Sequence, residues 1–221
     1  MNQSNTPNLI DEFCIKHQLE ILVDRIAFSG HKCKSLGLSF GKMGIVIFLF
    51  HYARQIKDVS FENAAVKFIN EIMSDIHFSI PLNYAHGLSG IGTGIEYLAQ
   101  HDFLEIDTDE TLTGFDRLFV EQIQKRKLYL SAQYLMDLKR FFTARLENSQ
   151  TKKRDFLNKA KIDILSLLEL HHNVSFILED TTIQNPFPDD AENFGLEGLS
   201  GKGLLLLTTL NPQHNTWLKL R

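Results

Sequence analysis

The chain has 221 residues, 43% of them hydrophobic, with 5 prolines and a formal net charge of −4. These figures describe one ordinary globular domain, able to bury roughly 70% of the surface its unfolded chain exposes. They exclude a basic footprint for nucleic acid, because Lys125-Arg126-Lys127 and Lys152-Lys153-Arg154 are short runs among acids and read as solvated helix ends.

Residues 1–7 have no basic segment leading into an apolar stretch, and no run of about 18 apolar residues follows. Neither a secretory signal nor a membrane span is expected. Cys14 and Cys33 stand in no C-x-x-C pattern, so reduced thiols in a cytoplasmic protein are the expectation.

Residues 8–29 place Leu9, Phe13, Leu19, Leu22, Val23 and Ile26 among Asp11, Glu12, Lys16, Glu20, Asp24 and Arg25, the pattern of an amphipathic helix. Gly30 and the segment to Ser39 end it. A second helix follows from Gly41 to Gln55 and is apolar almost all round, so it should be buried. Ser60 is placed as the N-cap of a helix over 61–77, whose stripe is Phe61, Ala64, Ala65, Phe68, Ile69, Ile72 and Ile76.

A further helix opens after Gly87. Asp107-Thr108-Asp109-Glu110 caps the next one, which presents Leu112, Phe115, Leu118, Phe119 and Ile123. Residues 130–147 and 152–171 are two more helices. The pattern then breaks from His172 to Phe194, where Asn185-Pro186-Phe187-Pro188 begins a polar loop. A last helix follows Gly198 and ends at Asn211-Pro212. Only Val174 to Leu178 offers a short strand candidate, so the fold class is all-α.

Three of these helices open on nearly the same phrase: Gly41-Lys42-Met43-Gly44, Gly87-Leu88-Ser89-Gly90 and Gly198-Leu199-Ser200-Gly201. The first two lie 46 residues apart, a span that holds one helical hairpin, and the next gap of 111 residues leaves room for a unit without the phrase near 128–170. A glycine inside a helix costs about 1 kcal/mol relative to alanine, so Gly92, Gly94 and Gly203 need a reason. Two roles are open. The glycines allow close helix packing, or they supply left-handed turns and free N–H groups where the helix dipole favours an anion.

The string Ala85-His86-Gly87-Leu88-Ser89-Gly90-Ile91-Gly92, followed by Gly94-Ile95-Glu96-Tyr97-Leu98, resembles the repeats of the lanthionine synthetase C-like family. Gly195-Leu196-Glu197-Gly198-Leu199-Ser200-Gly201 and Ser35-Leu36-Gly37-Leu38-Ser39-Phe40-Gly41-Lys42-Met43-Gly44 resemble them too. The resemblance spans about residues 35 to 210 and implies an α,α-toroid, with inner helices opened by the glycine motifs and outer helices around them. It also implies a zinc ion held by two cysteines and a histidine, which activates a substrate cysteine thiol for addition to dehydroalanine or dehydrobutyrine.

Here the chain departs from the family. The Cys-Gly and Cys-His-Gly motifs are expected beyond the third glycine unit, where this sequence stops at Arg221, and neither Cys14 nor Cys33 replaces them. No metal ligand and no cofactor is therefore assigned, and zinc-dependent cyclisation is not expected from this chain alone. His86 is the single catalytic candidate, since a histidine before a glycine turn shuttles protons near neutral pH in the family; the alternative is a hydrogen-bonded turn residue. His171-His172 reads as a cationic C-terminal cap.

About four hairpins are countable, so an open arc is expected, with apolar end faces that call for self-association, a partner chain, or a shortened gene product. Three functions follow. The first is a protein of peptide modification, working on a precursor peptide or beside a partner modification enzyme. The second is a non-catalytic peptide-binding scaffold. The third, a carbohydrate-active toroid, would have to use Glu96 and Glu197 as its paired carboxylates. None of them involves nucleic acid or a membrane.

Overall fold

The computed structural model describes residues 9–77, 80–126, 130–148, 152–174 and 193–221, and all regular structure among them is helical. The α-helices are α1 (Leu9–Ser29), α2 (Lys42–Ile56), α3 (Val59–Asp75), α4 (Leu88–Gln100), α5 (Thr108–Thr111), α6 (Thr113–Arg126), α7 (Ala132–Glu147), α8 (Arg154–Val174) and α9 (Leu199–Leu210). Two 3₁₀ segments, Gly30–Lys32 and Pro212–Leu220, follow α1 and α9. No described helix is long and apolar enough to cross a membrane. Of the strand candidate, Val174 closes α8 and the rest lies outside the described residues, as does the polar loop at 185–192.

The chain gathers into two compact units, Met1–Ile80 with Glu192–Arg221, and Pro81–Ala191. In the first unit α2 is the core element: every residue from Lys42 to Ala53 is buried, as its unbroken apolar run requires. Amphipathic α3 lays Ala65, Phe68 and Ile72 against it. The cap of α3 is Asp58 rather than Ser60. The Asp58 carboxylate accepts the Ser60 N–H at 2.8 Å, because a helix starting at Val59 leaves that amide without an intrahelical acceptor.

Helix α9 returns across some 150 residues of chain to pack on both α2 and α1. Gly203 makes this approach possible: a Cβ there would sit 2.3 Å from the Phe48 ring, so only glycine lets that ring lie on the α9 backbone. Fully buried Phe48 then contributes roughly 1.5–3 kcal/mol of apolar burial. The 3₁₀ segment covers α9 with Trp217, also fully buried, whose indole N–H donates to Thr208 Oγ1 at 3.1 Å.

In the second unit α4 takes the central place, buried from Leu88 to Leu98. Its main partner is α7, with α5 and α6 touching it less. Gly92 repeats the device of Gly203, since a Cβ on it would meet Phe141 at 2.4 Å. Phe141 belongs to an edge-to-face cluster with Phe119 and Phe142, at centroid distances of 4.9 and 5.1 Å, that joins α6 to α7.

One expectation needs adjustment in this unit. The helix expected from Asp107 onward is broken at Leu112, whose φ of −98° and ψ of 5° separate α5 from α6, although Asp107 does cap α5 by accepting the Glu110 N–H. Helix α8 packs against α7 and buries Leu157, Ala160, Ile164 and Leu167, while Phe156, Ile162 and Leu170 remain exposed.

Candidate functional site

The three glycine phrases form helix N-termini, with Gly41, Gly87 and Gly198 as the N-cap residues of α2, α4 and α9. They are built on one plan. The loop before each helix folds back, and its carbonyls accept the first helical N–H groups: Lys42 to Ser35 and Met43 to Leu36, Leu88 to Pro81 and Ser89 to Leu82, Leu199 to Asn193 and Ser200 to Phe194. These amides are the ones a helix leaves orphaned, and here backbone oxygens take them.

The expectation of free N–H groups for an anion is thereby corrected, and so is that of left-handed turns. No described glycine has positive φ, and the three caps lie between −131° and −135°. The requirement is space instead. A Cβ on Gly87 would fall 1.6 Å from the Pro81 oxygen, and one on Gly198 would fall 1.9 Å from the Asn193 oxygen. The turns of α2 and α9 also bond to each other, with Leu196 N–H donating to Leu38 O at 3.1 Å and Glu197 N–H to Ser39 O at 2.9 Å.

His86 occupies the turn before α4. It is half-buried, its backbone N–H donates to Asn83 Oδ1 at 2.9 Å, and burial lowers its pKa, which keeps the imidazole neutral at pH 7. The turn is anchored from α7 by Asp137, whose carboxylate accepts the Tyr84 N–H at 3.1 Å and the Gln133 amide at 2.9 Å. Burial pushes the Asp137 pKa upward against those bonds.

Eight residues along α7, Arg145 holds the other half of α4. Its guanidinium is wholly buried and donates to three carboxylates: Glu96 of α4, Asp109 of α5 at 2.8 Å, and both oxygens of Asp116 of α6 at 3.2 and 2.9 Å. Thr108 Oγ1 accepts a further N–H at 3.2 Å. Asn148 donates to Glu96 at 2.9 Å, and Lys153 Nζ donates to Asp109 O and to Thr113 Oγ1. Burial acts to raise Asp109, but the Lys152 N–H and Arg145 overcome it and hold that carboxyl below the usual range.

Thr108, Asp109 and Asn148 also line a cleft of about 840 Å³ at the ends of α4 and α7. Its rim carries Asp102, Glu105, Asp107 and Glu147 against Lys152, so it suits hydrogen-bond donors and positive groups. Sequence reasoning takes Glu96 as a candidate carboxylate, Thr108 and Asp109 as part of a cap and Lys153 as a solvated helix end, and does not bring them together; Lys153 is part-buried on Asp109 and Thr113 instead. The legible signal was position: Arg145 falls on the same α7 stripe as Leu138, Phe141 and Phe142, where a lone charge needs buried partners.

The two glutamates named for sugar chemistry are both committed elsewhere. Glu96 is wholly buried on Arg145, and Glu197 pairs on the surface with Arg221 at 2.9 Å. The zinc ion that the resemblance implies does not fit the donors present. Cys14 is exposed on α1, while the Cys33 sulfur lies against the Ser35 and Phe40 carbonyls and burial pushes its thiol pKa up, away from the thiolate a metal needs. Among the described residues, no group of three or more His, Cys, Asp or Glu is placed to hold a metal ion. His171 lies in the last turn of α8, which continues to Val174.

A scan against protein-family models and searches of curated proteins and of solved structures return no match.

Proposed function

We propose that this is a lanthionine synthetase C-like protein of the α,α-toroid type that holds a ribosomally made peptide during its modification, without a zinc cyclase centre of its own. One observation carries the reading: the three glycine phrases that resemble the family's repeats open three helices on the same plan, and Gly92 and Gly203, each five residues past its cap, accept an aromatic ring at the same step. A repeat shared at that level of detail is scaffold, because its amides and glycines are spent on packing. Peptide binding then falls to side chains outside the turns, and the polar cleft beside Thr108 and Asn148 offers a place for the peptide's positive and amide groups. In this reading the protein works in the cytoplasm, and any thiol activation comes from a partner enzyme.

The test combines two measurements on the purified full chain. Plasma emission analysis for zinc is expected to show far less than one metal per chain. Fluorescence anisotropy with a dehydrated, cysteine-containing peptide is expected to show saturable binding, with the peptide thiol still open to alkylation afterwards. Stoichiometric zinc with loss of the thiol would overturn the scaffold reading, and absence of binding to any Ser-, Thr- and Cys-rich peptide would remove the peptide assignment.

A further inference from the structure

Helix α1 is apolar on two sides. Leu19, Val23 and Ile26 are buried, and the helix packs on α9. On the opposite side Phe13, Ile21 and Phe28 are 73, 53 and 76% exposed, and at 3.6 residues per turn they fall within about 80° of one another, together with exposed His17 and Asp24. A single exposed aromatic is ordinary on a protein surface. Three large apolar side chains in line along a helix about 30 Å long are the mark of an interaction surface.

The charges along this face choose its occupant. Asp11 and Glu12 make the first turn acidic, while His31 and Lys32 make the 3₁₀ segment after α1 basic, with Lys32 Nζ 5.4 Å from the centre of the Phe28 ring. We propose that α1 is the interface of a twofold homodimer, in which the α1 helices of two copies of this chain run antiparallel. With Phe13 set against the partner's Phe28, His17 falls opposite the partner's Asp24, and the acidic first turn falls opposite the partner's Gly30–Lys32 segment. A parallel pairing would set acid on acid and base on base. The antiparallel one also opposes the two helix dipoles.

The two kinds of group contribute differently. Exposed charges at a rim add little affinity and mainly fix orientation, so Phe13, Ile21 and Phe28 supply the attraction. Twofold symmetry makes each of them count twice. One helix pair is still a small interface, and its dissociation constant should lie in the micromolar range.

Sedimentation equilibrium of the purified full chain, from about 1 to 100 μM, should show the mass of one chain passing to that of two. Phe28→Ala removes two rings per dimer and should raise the dissociation constant on the order of 100-fold, with an unchanged circular dichroism spectrum because the ring is 76% exposed. Val59→Ala, an equally conspicuous apolar residue on α3 at 63% exposure, should leave the constant unchanged. Asp24→Lys should weaken association about tenfold, and adding His17→Glu to it should restore the wild-type value by reversing the pair. A chain that stays monomeric throughout would overturn the proposal and leave the face to a partner of different sequence. A dimer that survives Phe28→Ala would place the contact elsewhere and overturn it too, and failure of the double charge reversal to restore association would overturn the antiparallel register.

Discussion

Helices α2 and α4 begin alike and are held differently. Each starts on a glycine cap with its first amides tied back to the preceding loop, and each is buried for most of its length. Helix α2 buries an apolar run from Met43 to Phe50, while Lys42 in its first turn reaches Glu71 at 2.7 Å and Asp75 at 3.5 Å, acids that are 41 and 57% exposed. Helix α4 instead buries Glu96 outright and is gripped from α7 at both ends, through Asp137 at its turn and Arg145 farther along. The lesson concerns reference states. Removing Lys42 leaves the carboxylates of Glu71 and Asp75 where water can solvate them, whereas removing Arg145 strands carboxylates where water has little access.

The largest expected effect breaks the buried side of this contrast. Arg145→Ala should cost about 3–5 kcal/mol, seen as a lower denaturant midpoint by circular dichroism and faster amide exchange in peptides from α4 and α7. Next comes the feature that both helices share with α9. Gly198→Ala forces a Cβ onto the Asn193 oxygen and should cost about 1–3 kcal/mol, which the fluorescence of Trp217, the only tryptophan, would report during urea unfolding of the first unit.

A smaller change probes a cap in the second unit. Ser131 accepts the Tyr134 N–H at 3.2 Å, so Ser131→Ala should lower stability by about 1 kcal/mol, checked by thermal melts. The smallest sharpens the comparison from the open side: Lys42→Met should cost less than about 1 kcal/mol in the same urea experiment. A loss from Lys42→Met as large as that from Arg145→Ala would erase the distinction between the two units.

Much of the helical pattern was legible from residue order. The apolar run from Ile45 to Phe50 announced a buried helix, and Asp107 announced a cap, because helix periodicity and capping act over three or four residues. The cap of α3 was misplaced by two residues, since Asp58 and Ser60 both suit the position and only the path of the chain into α2 and α3 chooses between them. The glycine phrases were legible as signals but their purpose was not: an anion-binding turn and a close-packed turn use the same letters, and the distance from Gly87 to the Pro81 oxygen tells them apart.

The sequence by itself determined the helical class, the approximate bounds of most elements and the three recurrent starts, because each depends on neighbours a turn or so away. Tertiary structure alone decided that α9 docks on α2, that Phe48 and Phe141 rest on glycines, and that Arg145 gathers carboxylates 29 to 49 residues distant. The physical reason is that burial changes what a residue is worth. The helix faces that carry Glu96 and Arg145 are legible as apolar in the linear chain, but only the packing of four helices around them removes the water and brings the two charges together.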